Sequence, residues 1–199
     1  SAALSFETDK ARVVEFWNKQ RAAMNSLKVE KDFPKAIQLF REALGLNPRH
    51  EDSLYYLGQC LAADGDVSGA LAQWAELIRI NPSSHRAYQQ SGNLRAMTAR
   101  SSADLGAAEA QLEKAHAINP EETGALLVLG EIAVLRGELG IAEQRLAAAC
   151  RTNPRAVGGF FLRGYLAWKR GDEDSAAQLL TEARQALGKD WQPKGSTSE

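Results

Sequence analysis

Apolar residues recur along most of this chain at three- and four-residue intervals, the spacing of a single helical face. The pattern is clearest over residues 54–82. Leu54, Leu57, Gly58 and Leu61 form one stripe, and Gly65 interrupts it. Ala70, Leu71, Trp74, Leu77 and Ile78 form a second stripe, which stops at Asn81-Pro82. Two short helices joined by a turn are predicted here, each with one buried face.

The rest of the chain repeats this unit. Asn-Pro occurs at Asn47-Pro48, Asn81-Pro82, Asn119-Pro120 and Asn153-Pro154, with steps of 34, 38 and 34 residues. Glycines at Gly58, Gly92, Gly130 and Gly164 keep the same steps. Alanines at Ala36, Ala70, Ala108, Ala142 and Ala176 step by 34, 38, 34 and 34. Four extra residues therefore lie between Gly92 and Ala108. The polar run over 98–105 reads as an enlarged loop, or as an added helical turn before a new cap at Asp104.

Each marker has a physical cause. A glycine inside a helix costs about 1 kcal/mol relative to alanine. Four in register predict a facing helix too near for a side chain, with the alanine of that helix fitting the same contact. Proline lacks an N–H and ends the second helix.

With Leu-x2-Leu-Gly, then Ala-x3-Trp, then Pro at a 34-residue period, the chain resembles the tetratricopeptide-repeat family. The likeness covers residues 17–187 in about five repeats, 17–50, 51–84, 85–122, 123–156 and 157–188. It implies an all-α, right-handed superhelical solenoid of antiparallel helix pairs, one domain over residues 9–188, with the first helices on a concave side. Residues 1–8 read as a loose leader and 189–199 as a flexible tail, with Trp191 folding back on the last helix. The first helix is expected from about Asp9 to Lys28. Val13, Phe16, Trp17, Met24 and Leu27 give its apolar face, and Phe16 and Trp17 cover the open end of the stack. Asp32 and Pro34 suit a helix start.

Beside the core stripe of each first helix runs a second stripe at the same spacing. It holds Asn18, Arg21, Asn25 and Lys28; Asp52, Tyr55 and Gln59; Arg86, Gln89 and Asn93; Leu127 and Glu131; and Phe161, Tyr165 and Trp168. Its first half is basic and amide-rich and its second half apolar and aromatic. That pattern suits a groove for a peptide or partner protein, with amides and Arg holding backbone and acidic groups and aromatics holding apolar side chains. A plainly solvated face is the competing reading. A structural module that self-associates through exposed repeat ends and the Phe161, Tyr165 and Trp168 patch is another. Within the family, one subset clamps a C-terminal carboxylate of chaperones. Arg21, Asn25 and Arg86 match parts of that clamp, but Tyr56 and Gln90 stand where an Asn and an Arg are expected.

Composition narrows the rest. Hydrophobic residues make up 44% and charged residues 25%, with a net charge of −1. No basic run supports a nucleic-acid surface. No apolar stretch approaches the ~20 residues of a membrane span. His50, His85 and His116 are scattered, and no metal, phosphate-loop or redox motif appears. A non-catalytic module without cofactor or metal is expected. Cys60 and Cys150 read as buried thiols. The residue usage points to a bacterial source and leaves periplasm or cytoplasm open.

Overall fold

The computed structural model describes residues 2–188, and they contain ten helices and no strand. Helix α1 (Ala2–Asn25) runs into one wide π turn (Ser26–Glu30) and packs on α2 (Phe33–Leu46). Helix α3 (Glu51–Ala63) packs on α4 (Val67–Ile80), and α5 (His85–Thr98) and α6 (Ser102–Ile118) follow. Helices α7 (Gly124–Leu135) and α8 (Leu139–Thr152) pair, as do α9 (Val157–Lys169) and α10 (Glu173–Leu187). The chain divides into two compact units, Ser1–Leu94 and Arg95–Glu199.

The helix boundaries follow local chemistry. Asp32, Asp66 and Asp172 cap α2, α4 and α10 by accepting the N–H of Lys35, Gly69 and Ser175 at 3.1, 2.9 and 3.1 Å. Such a cap is worth roughly 1 kcal/mol. Asn47, Asn81 and Asn153 do more than precede a proline. Each side-chain oxygen accepts the N–H two residues on, at 3.3, 3.0 and 2.9 Å. Proline supplies no N–H at the intervening position, so the amide holds the turn. The turns inside the hairpins use Gly65, Gly137 and Gly171 at φ of 89°, 74° and 82°. Lys31 occupies the corresponding place in the first hairpin at φ 57°.

Four expectations are corrected. The loose leader is helical from Ala2, because Ala2, Ala3 and Leu4 are strong helix formers and no Gly or Pro intervenes. Val13 is 55% exposed rather than buried, whereas Phe16 is 4% exposed. Phe16 and Trp17 do pack, edge-on against the His50 ring at 4.8 and 5.5 Å between centroids. The cap after the four-residue insertion is Ser101, whose hydroxyl accepts the Asp104 N–H at 3.1 Å. The inserted residues lengthen the second helix. Ala70 is fourth in α4 and Ala108 is seventh in α6. The tail and Trp191 lie outside the described residues.

The glycine contact is the fourth correction. What fills the space is not the facing alanine but the large residue four positions after it. A Cβ on Gly58 would stand 2.3 Å from Trp74 Nε1, and one on Gly130 would stand 2.6 Å from Leu146 Cδ2. On Gly164 it would meet Leu180 at 3.4 Å, an ordinary contact. The core of the first unit is built on buried Phe40, Leu57, Trp74 and Leu77, and that of the second on smaller Leu112, Leu129, Ile132 and Leu146.

Candidate binding face

The second stripe of the first helices remains accessible in both units. In the first unit it is a network of mutually satisfied groups. The Arg86 guanidinium on α5 lies over the Tyr55 ring of α3, 4.4 Å from its centroid, and donates to the Asp52 carboxylate. Gln59 Nε2 donates to the Tyr55 hydroxyl at 2.9 Å, and Gln90 Nε2 reaches the same oxygen at 3.4 Å. Burial raises the Tyr55 phenol above its ordinary pKa, which keeps it a neutral hydroxyl. Trp74 Nε1 donates to the Tyr55 carbonyl at 3.1 Å, so the buried core fixes the helix that carries this face.

Other predicted residues join the network only in part. Lys28, in the π turn, stands over Tyr56 at 4.9 Å, and Tyr56 meets Tyr55 edge-on at 5.0 Å. Asn25 turns away and donates to Glu30 at 3.0 Å. Arg21 is exposed on α1. Asn18 lines a shallow hollow on α1 with Lys10, Val14 and Glu15. Gln89 and Asn93 are half-buried on α5, and Asn93 Oδ1 is buried without a hydrogen-bond partner. Tyr56 and Gln90, weighed from the sequence only as clamp positions, join the face through Tyr55. The 34-residue period links the two, because Gln90 is the register mate of Tyr56.

In the second unit the stripe is apolar and open. Tyr165 and Trp168 on α9 sit 6.2 Å apart at a 40° tilt, 47% and 61% exposed. Phe161 lies one turn earlier, and Leu127 on α7 packs into the core beneath. Leu127 Cδ2 is 3.0 Å from where a Cβ on Gly159 would stand, so α7 and α9 are close neighbours. Glu131 on α7 is exposed, and partial burial raises its carboxyl above the ordinary pKa.

Nearby, Arg163 occupies a position where the pattern called for an apolar residue. It stays half-buried by donating to Glu143 at 3.0 Å, in a small polar hollow with Arg170, Ser175, Gln178 and Glu182. Cys60 and Cys150 are buried free thiols, and burial pushes the Cys60 thiol up to about 11. Among the described residues no group of His, Cys, Asp and Glu could hold a metal ion, and no helix is long and apolar enough to cross a membrane.

The tetratricopeptide-repeat family model matches residues 25–85 and 136–190, more than half of the chain. The chain belongs to the tetratricopeptide-repeat family. Its fold is shared with several solved structures at low sequence identity. MamA from Desulfovibrio magneticus RS-1 is 17% identical with a TM-score of 0.74, over 87% of this chain and 95% of that one. PilF of Pseudomonas aeruginosa is 15% identical with a TM-score of 0.77, over 90% and 80%. YrrB, described as a repeat protein with an unusual peptide-binding site, is 17% identical with a TM-score of 0.65, over 86% and 86%. No curated protein matches the sequence. The repeats thus place the chain in the all-α solenoid class and support a general role as a protein–protein interaction module.

Proposed function

We propose that the accessible stripe of the first helices binds a peptide or a partner protein, without catalysis. The observation that carries this reading is the second unit's row of exposed aromatics. Phe161, Tyr165 and Trp168 together expose large apolar surface on one helix, which marks interaction sites more often than it marks ordinary protein surface. The peptide-binding site ascribed to YrrB, on the same fold, is consistent with it. The carboxylate-clamp version is the weaker form. Arg86, its expected anion binder, is already engaged by Asp52 and Tyr55.

The competing reading is self-association through the same aromatic patch. Capture of partners by the wild type, by a Phe161→Ala/Trp168→Ala variant and by an Arg21→Ala/Gln59→Ala/Asn93→Ala variant separates the two. Under the groove reading both variants lose capture at unchanged molecular mass. If light scattering instead shows the aromatic variant halving its mass with capture retained, the patch joins copies of the chain.

A further inference from the structure

Helix α1 has 24 residues and its partner α2 has 14. Arg12 Nε donates to the Leu46 carbonyl at 3.1 Å, in the last turn of α2. Residues before Arg12 therefore overhang α2 as an arm, by about 15 Å. Every residue from 5 to 15 is exposed, and Phe16 is the first buried one after them. Most of a helix's stability in a protein comes from packing one face. This arm buries no face against the described residues. It nevertheless carries an apolar stripe, which continues past it along α1. Phe6, Lys10, Val13, Trp17 and Arg21 follow one another at intervals of four, three, four and four residues, with Val14 alongside. Phe6, Val13, Val14 and Trp17 are large apolar side chains left exposed.

We infer that this stripe pairs antiparallel with the same stripe of a second copy of the chain, about a twofold axis beside Val14. The charges on the stripe decide the occupant. Glu7 and Arg21 lie seven residues before and seven after Val14, nearly four helical turns apart and so on one side of the helix. Both are exposed, and neither has an ion-pair or hydrogen-bond partner among the described residues. The twofold sets Glu7 of each copy against Arg21 of the other, one ion pair at each end of the contact. Val13 and Val14 meet their equivalents at the axis. Lys10 falls beside Trp17 and Asn18 of the other copy, within reach of the indole face. No two like charges of the stripe are opposed. A parallel pairing would set Glu7 on Glu7 and Arg21 on Arg21, which disfavours it. A stripe that complements its own reversed copy in charge and apolar pattern needs no other partner. One helix pair is smaller than a standard interface of roughly 800 Å² a side, so the dimer is a micromolar rather than a nanomolar one. The inference is independent of the groove reading above, which concerns other surfaces.

Light scattering on the whole chain from about 5 to 500 μM tests this. The wild-type mass should climb from monomer toward dimer and no further. Val14→Glu puts two carboxylates at the axis and should stay monomeric. Glu7→Arg and Arg21→Glu each oppose like charges, and each should weaken dimerisation at least about tenfold. An equimolar mixture of those two variants should recover the dimer, because opposite charges then meet at both ends. All three positions are exposed, and circular dichroism melts check that each variant keeps the cooperative transition of the repeats. A wild type that stays monomeric throughout overturns the inference, as does a mass that grows past two copies. So does a dimer that survives Val14→Glu, or a mixture that associates no more tightly than its components. A dimer lost in Phe161→Ala/Trp168→Ala and kept in Val14→Glu overturns it too, since the aromatic patch then joins the copies.

Discussion

Gly58 in the first unit and Gly164 in the second hold the same register position, yet their surroundings differ. A methyl on Gly58 would press into the Trp74 indole at 2.3 Å. That ring is 1% exposed and tethered through Nε1 to the Tyr55 carbonyl, so it has nowhere to move. A methyl on Gly164 would meet Leu180 at 3.4 Å, and Leu180 is 37% exposed and free to change rotamer. The same letter at the same register position is thus a steric requirement at Gly58 and not at Gly164. The difference extends to the surface. The first unit's candidate face is bridged by its own Arg86, whereas the second leaves its aromatics uncovered.

The largest expected effect breaks this comparison directly. Gly58→Ala should lower stability by about 2–3 kcal/mol, the cost of overpacking a rigid core. Gly164→Ala should be neutral or stabilise by up to ~1 kcal/mol, the helix-propensity gain. Gly130→Ala should also destabilise, because it meets Leu146 at 2.6 Å and that side chain is only 1% exposed, though without the hydrogen-bond tether that holds Trp74. Urea denaturation followed by circular dichroism ranks them. Equal costs at Gly58 and Gly164 would show that the indole is not what the glycine makes room for.

A second contrast lies in the hairpin turns. Gly171 in the last hairpin has φ 82°, a conformation that costs glycine little. Lys31, its counterpart in the first hairpin, is held at φ 57° with a side chain, at a penalty of roughly 1–2 kcal/mol. Lys31→Gly should therefore stabilise the protein by about 1 kcal/mol, and Gly171→Ala should destabilise it by a similar amount. Opposite shifts in melting temperature are the expected readout.

Repeats and hairpins were legible because three residue types kept one period through an insertion. That register needs no knowledge of packing. What each marker touches was not legible. The glycine–alanine pairing was inferred from size alone, while the actual partner, Trp74, sits four residues further on. Residues 1–8 read as loose, yet the helix begins at Ala2. Helix propensity alone extends α1 through Phe6, which is 67% exposed. The stripe could be drawn from spacing, but not its state. Asp52 and Arg86 both belong to the predicted stripe, and only the structure shows that they pair with each other. Asn25 and Lys28 belong to it too, but the π turn redirects one to Glu30 and the other to Tyr56.

The smallest effect concerns how the first helices begin. In the second unit α7 and α9 start at Thr123 and Ala156, with no side-chain cap. In the first unit α3 starts at His50, whose Nδ1 accepts the Ser53 N–H at 3.2 Å. Only a neutral imidazole can accept there, and a charged one would also oppose the helix dipole. Burial between the Phe16 and Trp17 rings is the main force lowering the His50 pKa below 6.5. The Arg86 charge adds to it, and Asp52 and Glu51 oppose it. The folded state thus disfavours the proton relative to the unfolded chain. His50 contributes its full stability above about pH 6.5 and loses it as pH falls through the lower folded value. His50→Asn keeps a capping oxygen and removes the titration. Melting curves at pH 7.5 and 5.5 should show the wild type losing more stability than His50→Asn, with the difference below the ~1 kcal/mol of one cap. Parallel losses in the two proteins would mean that the imidazole is not what holds this helix start in its capped form.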